Sequence, residues 1–153
     1  MPWLELRIPP RFVAVAVGLG MWAVSFIPPR FDLPQSHHWA TALAGAVGGA
    51  AITFAGAANL RAARTTLIPM GPRKTTSLVT TGIFSWTRNP MYLGLAAALV
   101  GWAAFLSAAW SLLGPVLFVL YINRFQIQPE ERVLIELFGA EYTNYARRVR
   151  RWL

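Results

Sequence analysis

The sequence predicts an all-α membrane protein with about four transmembrane helices plus a C-terminal cytoplasmic amphipathic helix. Three observations predict it. Hydrophobic residues make up 56% of the 153 residues and charged ones 13%, against about 25% charged in soluble domains. Mean hydropathy is +0.45, so a water-soluble globule would expose apolar surface that it could not cover. The charges lie in the gaps between long charge-free windows, with the cations concentrated in alternate gaps, as the positive-inside rule expects of cytoplasmic loops.

Phe12 to Pro29 carries no charge and lies between Pro9-Pro10 and Pro28-Pro29, which predicts a first span over residues 12–28. A signal peptide is the competing reading, since Arg7 and Arg11 precede the apolar run. Small residues at a cleavage site are not evident before Pro28-Pro29, which favours a retained span. Leu33 to Leu60 is also charge-free and densely apolar from Trp39, which predicts a second span over 39–60. Its Gly45-x-x-x-Gly49 permits close helix packing, within the bundle or between chains. A glycine face would equally let a cofactor lie against backbone.

The third window, Asn89 to Asn123, is too long for one crossing, because about 20 helical residues cover the hydrocarbon core. Two helices of about 16 residues, each near 24 Å, fit better. They are placed at 90–106 and 110–126, with a tight turn around Ser107 to Ser111 and Trp110 at the interface. A tail helix over 129–150 follows. Pro129 suits a helix start, and Glu130 and Glu131 complement the positive end of the helix dipole. Leu134, Leu137, Phe138, Tyr142, Tyr145 and Val149 form its apolar face. Residues 1–153 read as a single domain.

The second loop holds Arg61, Arg64, Arg73, Lys74 and Arg88, and Arg124, Arg132, Arg147, Arg148, Arg150 and Arg151 follow the last span. Four spans put both groups and both termini on one side, the cytoplasmic face of a bacterial inner membrane. The net charge of +8 raises nucleic acid as a partner. The cations lack an aromatic-interleaved stripe, however, which argues against it. There are no cysteines, so disulfides, thiolate metal sites and a cysteine nucleophile are excluded. His37-His38 has only Asp32 nearby, too few ligands for a metal, so none is expected.

Chemistry points to the second loop and the start of the tail. Glu130 shares the face of Leu134 and Phe138, and a carboxylate aimed at an apolar core needs a partner. Backbone amides, Arg88 or Arg124 would satisfy it; alternatively it holds an ammonium group. Thr87-Arg-Asn-Pro-Met-Tyr-Leu-Gly94 sets an Arg-Asn pair before Pro90 and a tyrosine just inside the next span. Alone this is an interfacial anchor; with the two glutamates it makes a mixed-charge pocket.

The stretch Ser77-Leu-Val-Thr-Thr-Gly-Ile-Phe-Ser-Trp-Thr-Arg-Asn-Pro-Met-Tyr-Leu-Gly94, followed by Pro129-Glu-Glu-Arg-Val-Leu-Ile-Glu-Leu-Phe-Gly-Ala-Glu-Tyr142, resembles the isoprenylcysteine carboxyl methyltransferase and phospholipid methyltransferase superfamily of integral membrane enzymes. The resemblance runs from about residue 40 onward and implies S-adenosylmethionine as cofactor. Carried over by position, it implies cofactor contacts at Thr76, Ser77, Leu78, Val79 and Phe84. The contacts continue at Asn89, Pro90, Met91 and Tyr92, and Glu130 takes the cofactor's amino group. Glu131, Arg88 and Arg124 become candidates for orienting or deprotonating the acceptor. Asn89 stands where the isoprenylcysteine enzymes have histidine, and Phe84 where they have tyrosine. Gln126 takes the place of their substrate-carboxylate arginine. The expected function is methyl transfer to a hydrophobic or membrane-associated acceptor: a lipid amine, a prenyl-type lipid, or a small thiol or phenol. The alternative is a non-catalytic membrane scaffold or transporter subunit. Oligomeric state is not readable from the chain.

Overall fold

The computed structural model describes residues 5–32, 34–63 and 77–153, which are helical with short connections. Pro10 opens α1 (Pro10–Val24), in the first turn where a missing N–H costs no bond. α2 runs Gln35–Ala62 and α3 Pro90–Leu106. Ser107 ends α3 in the left-handed region, at φ 47°, its N–H donating to the Ala103 carbonyl. A 3-10 turn at Ala109–Leu112 then reverses the chain into α4 (Leu113–Ile122). This is the hairpin expected at Ser107 to Ser111. The first loop clips onto it, with Phe31 N–H donating to the Ser107 carbonyl at 2.7 Å and Ala109 N–H to that of Pro29 at 3.1 Å.

α4 does not stop where the tail was expected to start afresh. A π-helical turn over Asn123–Ile127 carries it into α5 (Gln128–Phe138). Pro129 has no N–H for the Phe125 carbonyl four residues back; that carbonyl accepts from Leu6 N–H instead, at 3.0 Å. The tail expected as one helix over 129–150 is two. Gly139, at φ +51°, breaks it, and α6 (Ala140–Arg148) follows. Such a backbone is glycine's to adopt. The break lets Tyr142 and Tyr145 fold back on Leu134 in a small core of their own.

α2 and the continuous stretch Ala109–Phe138 are long and apolar enough to cross a membrane; α1 and α3, at 15 and 17 residues, are shorter. α2 lies on α3 through glycines. A Cβ on Gly45 would stand 2.6 Å from the Gly101 Cα, and one on Gly49 2.4 Å from the Gly94 carbonyl oxygen. The Gly45-x-x-x-Gly49 motif therefore packs within the chain, against α3. α1 packs on α3 and α4, where Trp102 donates to the Gly18 carbonyl and Ser111 to that of Met21. Phe118, Ile122 and Ile127 fill the centre. Outward, Phe12, Leu19 and Trp22 on α1, Leu43 and Phe54 on α2, and Leu117 on α4 are all exposed. Such a girdle suits lipid and would be a liability in water. The chain is a membrane protein.

Candidate functional site

A cleft of about 510 Å³ opens where the end of α2, residues 77–79, the start of α3 and the two tail helices converge. A second hollow of about 320 Å³ adjoins it along the first turn of α3. Phe84, Arg88, Asn89 and Glu130 line both.

Glu130 is set by the helical register of α5. With Leu134 it is buried against the bundle, at 8% exposure. Tyr92, two residues into α3, donates its hydroxyl to the Glu130 carboxylate at 2.6 Å. Among the described residues no cation pairs with Glu130. A carboxylate so placed is costly unless a positive group reaches it.

Glu131 points elsewhere, since consecutive residues on a helix diverge by about 100°. Its carboxylate accepts Arg88 Nη1 at 2.9 Å. It also takes both Nε and Nη2 of Arg151, at 2.9 and 2.7 Å. Arg88 in turn donates to the Tyr142 hydroxyl at 3.1 Å. Burial, then the Glu131 charge, push the Tyr142 phenol up to about 12, so it stays protonated. Burial raises the Tyr145 phenol as well, and its hydroxyl donates to the Phe84 carbonyl at 2.6 Å. That bond fixes the 3-10 turn Gly82–Ser85, which drives Phe84 inward. Arg88 Nε is buried and has no hydrogen-bond partner among the described residues. One cationic donor therefore remains unspent in the cleft wall.

The structure gathers most of the residues expected from the sequence. Ser77, Leu78 and Val79 line the larger cleft, as does Glu131. Pro90, Met91 and Tyr92 line the adjoining hollow. Thr76 lies outside the described residues. Two expected residues sit apart. Arg124 pairs with Glu5 at 2.8 Å on an exposed surface. Gln126 is fully buried and donates to the Ile8 carbonyl at 2.8 Å, off the cleft walls. Both serve instead to hold the N-terminal segment, where Glu5 also pairs with Arg132. The expected partners of Glu130, Arg88 and Arg124, are thus engaged by other carboxylates. Of the His37-His38 pair, His38 Nδ1 lies 2.6 Å from the Phe105 carbonyl oxygen.

Sequence reasoning missed Arg151, whose side chain grips Glu131 and whose carbonyl accepts Asn89 Nδ2 at 2.9 Å. It placed Tyr142 and Tyr145 on the apolar face of the tail but did not assign them to the cleft, which they line.

Comparison with known proteins follows the same boundaries. Residues 38–141 match the phospholipid methyltransferase family. An uncharacterized protein of Haemophilus influenzae is 46% identical over 63 residues, 41% of this chain and 100% of that protein. The protein-S-isoprenylcysteine O-methyltransferase of Saccharomyces cerevisiae is 40% identical over 75 residues, which are 47% of this chain and 30% of the yeast enzyme. No solved structure matches. The family match runs from the first turn of α2 to the first turn of α6 and takes in every described lining residue of the cleft except Tyr142 and Tyr145; the chain belongs to the phospholipid methyltransferase family.

Proposed function

We propose that this chain is an S-adenosylmethionine-dependent membrane methyltransferase acting on a hydrophobic or membrane-associated acceptor. The observation that carries the reading is Glu130: a buried carboxylate on the wall of a cleft, hydrogen-bonded by Tyr92 and met by no cation of the chain's described residues. The residues fit the methyl donor. Glu130 offers a negative partner for an ammonium group, and Arg88, which also lines the cleft, offers a cation for the carboxylate beside it. Leu60, Leu78, Phe84 and Leu134 give apolar walls for an adenosine.

When bound, S-adenosylmethionine supplies an electrophilic methyl group on a sulfonium that departs as a neutral thioether. The chain's share is alignment and exclusion of water. Tyr92 holds Glu130 in place, and Tyr145 holds Phe84 over the cleft. Glu131, gripped by two arginines, sets Arg88 and is spoken for as a base. The hollow along Pro90 and Met91 is the side on which an acceptor approaches from the lipid. That acceptor is a lipid amine, a prenyl-type lipid, or a small thiol or phenol, and its proton leaves with solvent. The bundle crosses the bacterial inner membrane four times as one domain over residues 1–153, with the cleft and both termini cytoplasmic.

S-adenosylhomocysteine should raise the melting midpoint of the detergent-solubilised protein, because a ligand that binds only the folded state stabilises it. Glu130→Gln should reduce that shift, while Glu136→Gln, on the exposed side of α5, should leave it intact. No shift in the unmodified protein, or equal losses in the two variants, refutes the assignment.

A further inference from the structure

The segment after α6 does more than end the bundle. Arg88 N–H donates to the Arg150 carbonyl at 3.0 Å. Thr87 Oγ1 and Asn89 Nδ2 both donate to the Arg151 carbonyl, at 3.1 and 2.9 Å. Trp152 Nε1 reaches Asn123 Oδ1 at 3.1 Å, on the π-helical turn below α4. Residues 150–152 are thereby stitched to the residues just before α3 and to the end of α4, alongside the cleft. The Arg151 side chain is half exposed, at 41%, and is not among the cleft walls. It nevertheless makes a two-pronged contact with Glu131, which is 15% exposed. Glu131 then contacts Arg88, which does line the cleft.

We propose that Arg151 is a positioning residue for the methyl-donor site: it fixes the Glu131 carboxylate, which orients the Arg88 guanidinium in the cleft wall. The inference rests on the methyltransferase reading above. Its physical basis is the planar fork of arginine, which holds a carboxylate in one orientation where a point charge would not. Without the fork, Glu131 turns about its own side-chain bonds and Arg88 follows it. The donor then loses an aligned contact, although every cleft-lining residue is still present.

The test is isothermal titration of S-adenosylhomocysteine into the purified full-length protein in detergent, which separates affinity from the fraction of protein able to bind. Arg151→Ala should weaken binding by at least about tenfold at unchanged stoichiometry, in line with the cost of small misplacements. Arg151→Lys, which keeps the charge but not the fork, should recover only a minor part of the affinity, and full recovery there would overturn the role of the fork. Arg148→Ala, on the exposed face of α6, should bind as the unmodified protein does. A purely structural role lowers the binding fraction and leaves the affinity of what binds, and that result overturns the proposal, as does unchanged affinity in Arg151→Ala. If Arg151→Ala does not fold, Glu131→Gln releases the same clamp from the other side and must weaken binding equally; normal affinity there overturns the proposal. No binding to the unmodified protein refutes the methyltransferase reading itself. Normal binding that Glu130→Gln abolishes and Arg151→Ala leaves alone removes only the role of Arg151.

Discussion

Glu130 and Glu131 are adjacent, equally acidic and chemically different because of where the helix turns them. Glu130 faces the bundle and meets a phenol; Glu131 faces the rim and meets two guanidinium groups. The first half of this difference was legible in the sequence, since Glu130 keeps register with Leu134 and Phe138. The second was not. Arg151 sits in a run of arginines that reads as part of the cation-rich cytoplasmic side, and nothing in its spacing tells which cation turns back on Glu131. For the same reason Arg124 and Gln126, close in sequence to the glutamates, were expected at the cleft and lie apart from it, because the π-helical turn Asn123–Ile127 presents them to the N-terminal segment. The Tyr92–Glu130 bond gives a sharp expectation. A hydrogen bond to a buried carboxylate contributes about 1.5–3 kcal/mol. Tyr92→Phe should therefore lower the melting midpoint of the ligand-free protein by at least about 3 °C. Its affinity for S-adenosylhomocysteine should fall less than that of Glu130→Gln, because the charge remains. An unchanged midpoint would show that the hydroxyl does not support Glu130.

Among the helices, sequence reading succeeded where charge-free length and prolines speak. α3 spans the expected residues, and the hairpin at Ser107 to Ser111 stands where two short helices required it. It failed at the tail, because Pro129 does stand in the first turn of α5 yet a π-helical turn joins α4 to α5 without a break before it, and because Gly139 is a single residue inside an unbroken apolar periodicity. The placement of α2 was left open by its glycines and is settled by their contacts. Gly49 and Gly48 make a matched pair. A Cβ at Gly49 would collide with the Gly94 carbonyl, whereas nothing lies within 4 Å of one at Gly48. Gly49→Ala should therefore destabilise the protein by about 1–3 kcal/mol, the usual cost of overpacking, read as a lower melting midpoint in detergent. Gly48→Ala should be neutral or better, since alanine favours helix. Equal midpoints would mean that α2 does not lie on α3 through this face.

Across the molecule, polarity divides along the bundle axis. The cleft, Glu130, Glu131, Arg88 and the arginines of the tail gather at the end where α3 begins and α5 and α6 lie, while His37, His38 and the hairpin at Ser107 to Ser111 mark the other. On the methyltransferase reading, a donor made in the cytoplasm has to reach the first end, and the positive-inside rule favours the same end for the cytoplasm. Chemistry and charge distribution thus favour one orientation. The chain contains no cysteine, so single introduced cysteines report orientation without background. Ser36→Cys, near the start of α2, should react with a membrane-impermeant maleimide in intact cells, and Arg148→Cys, at the end of α6, should react only after the membrane is opened. Both positions are exposed, so an unreactive site reports the bilayer rather than burial in the protein. Labelling of Arg148→Cys from outside would place the cleft away from its donor, and labelling of both sites from the same side would overturn the four-span arrangement, which puts α2, α3 and α4 between them as an odd number of crossings.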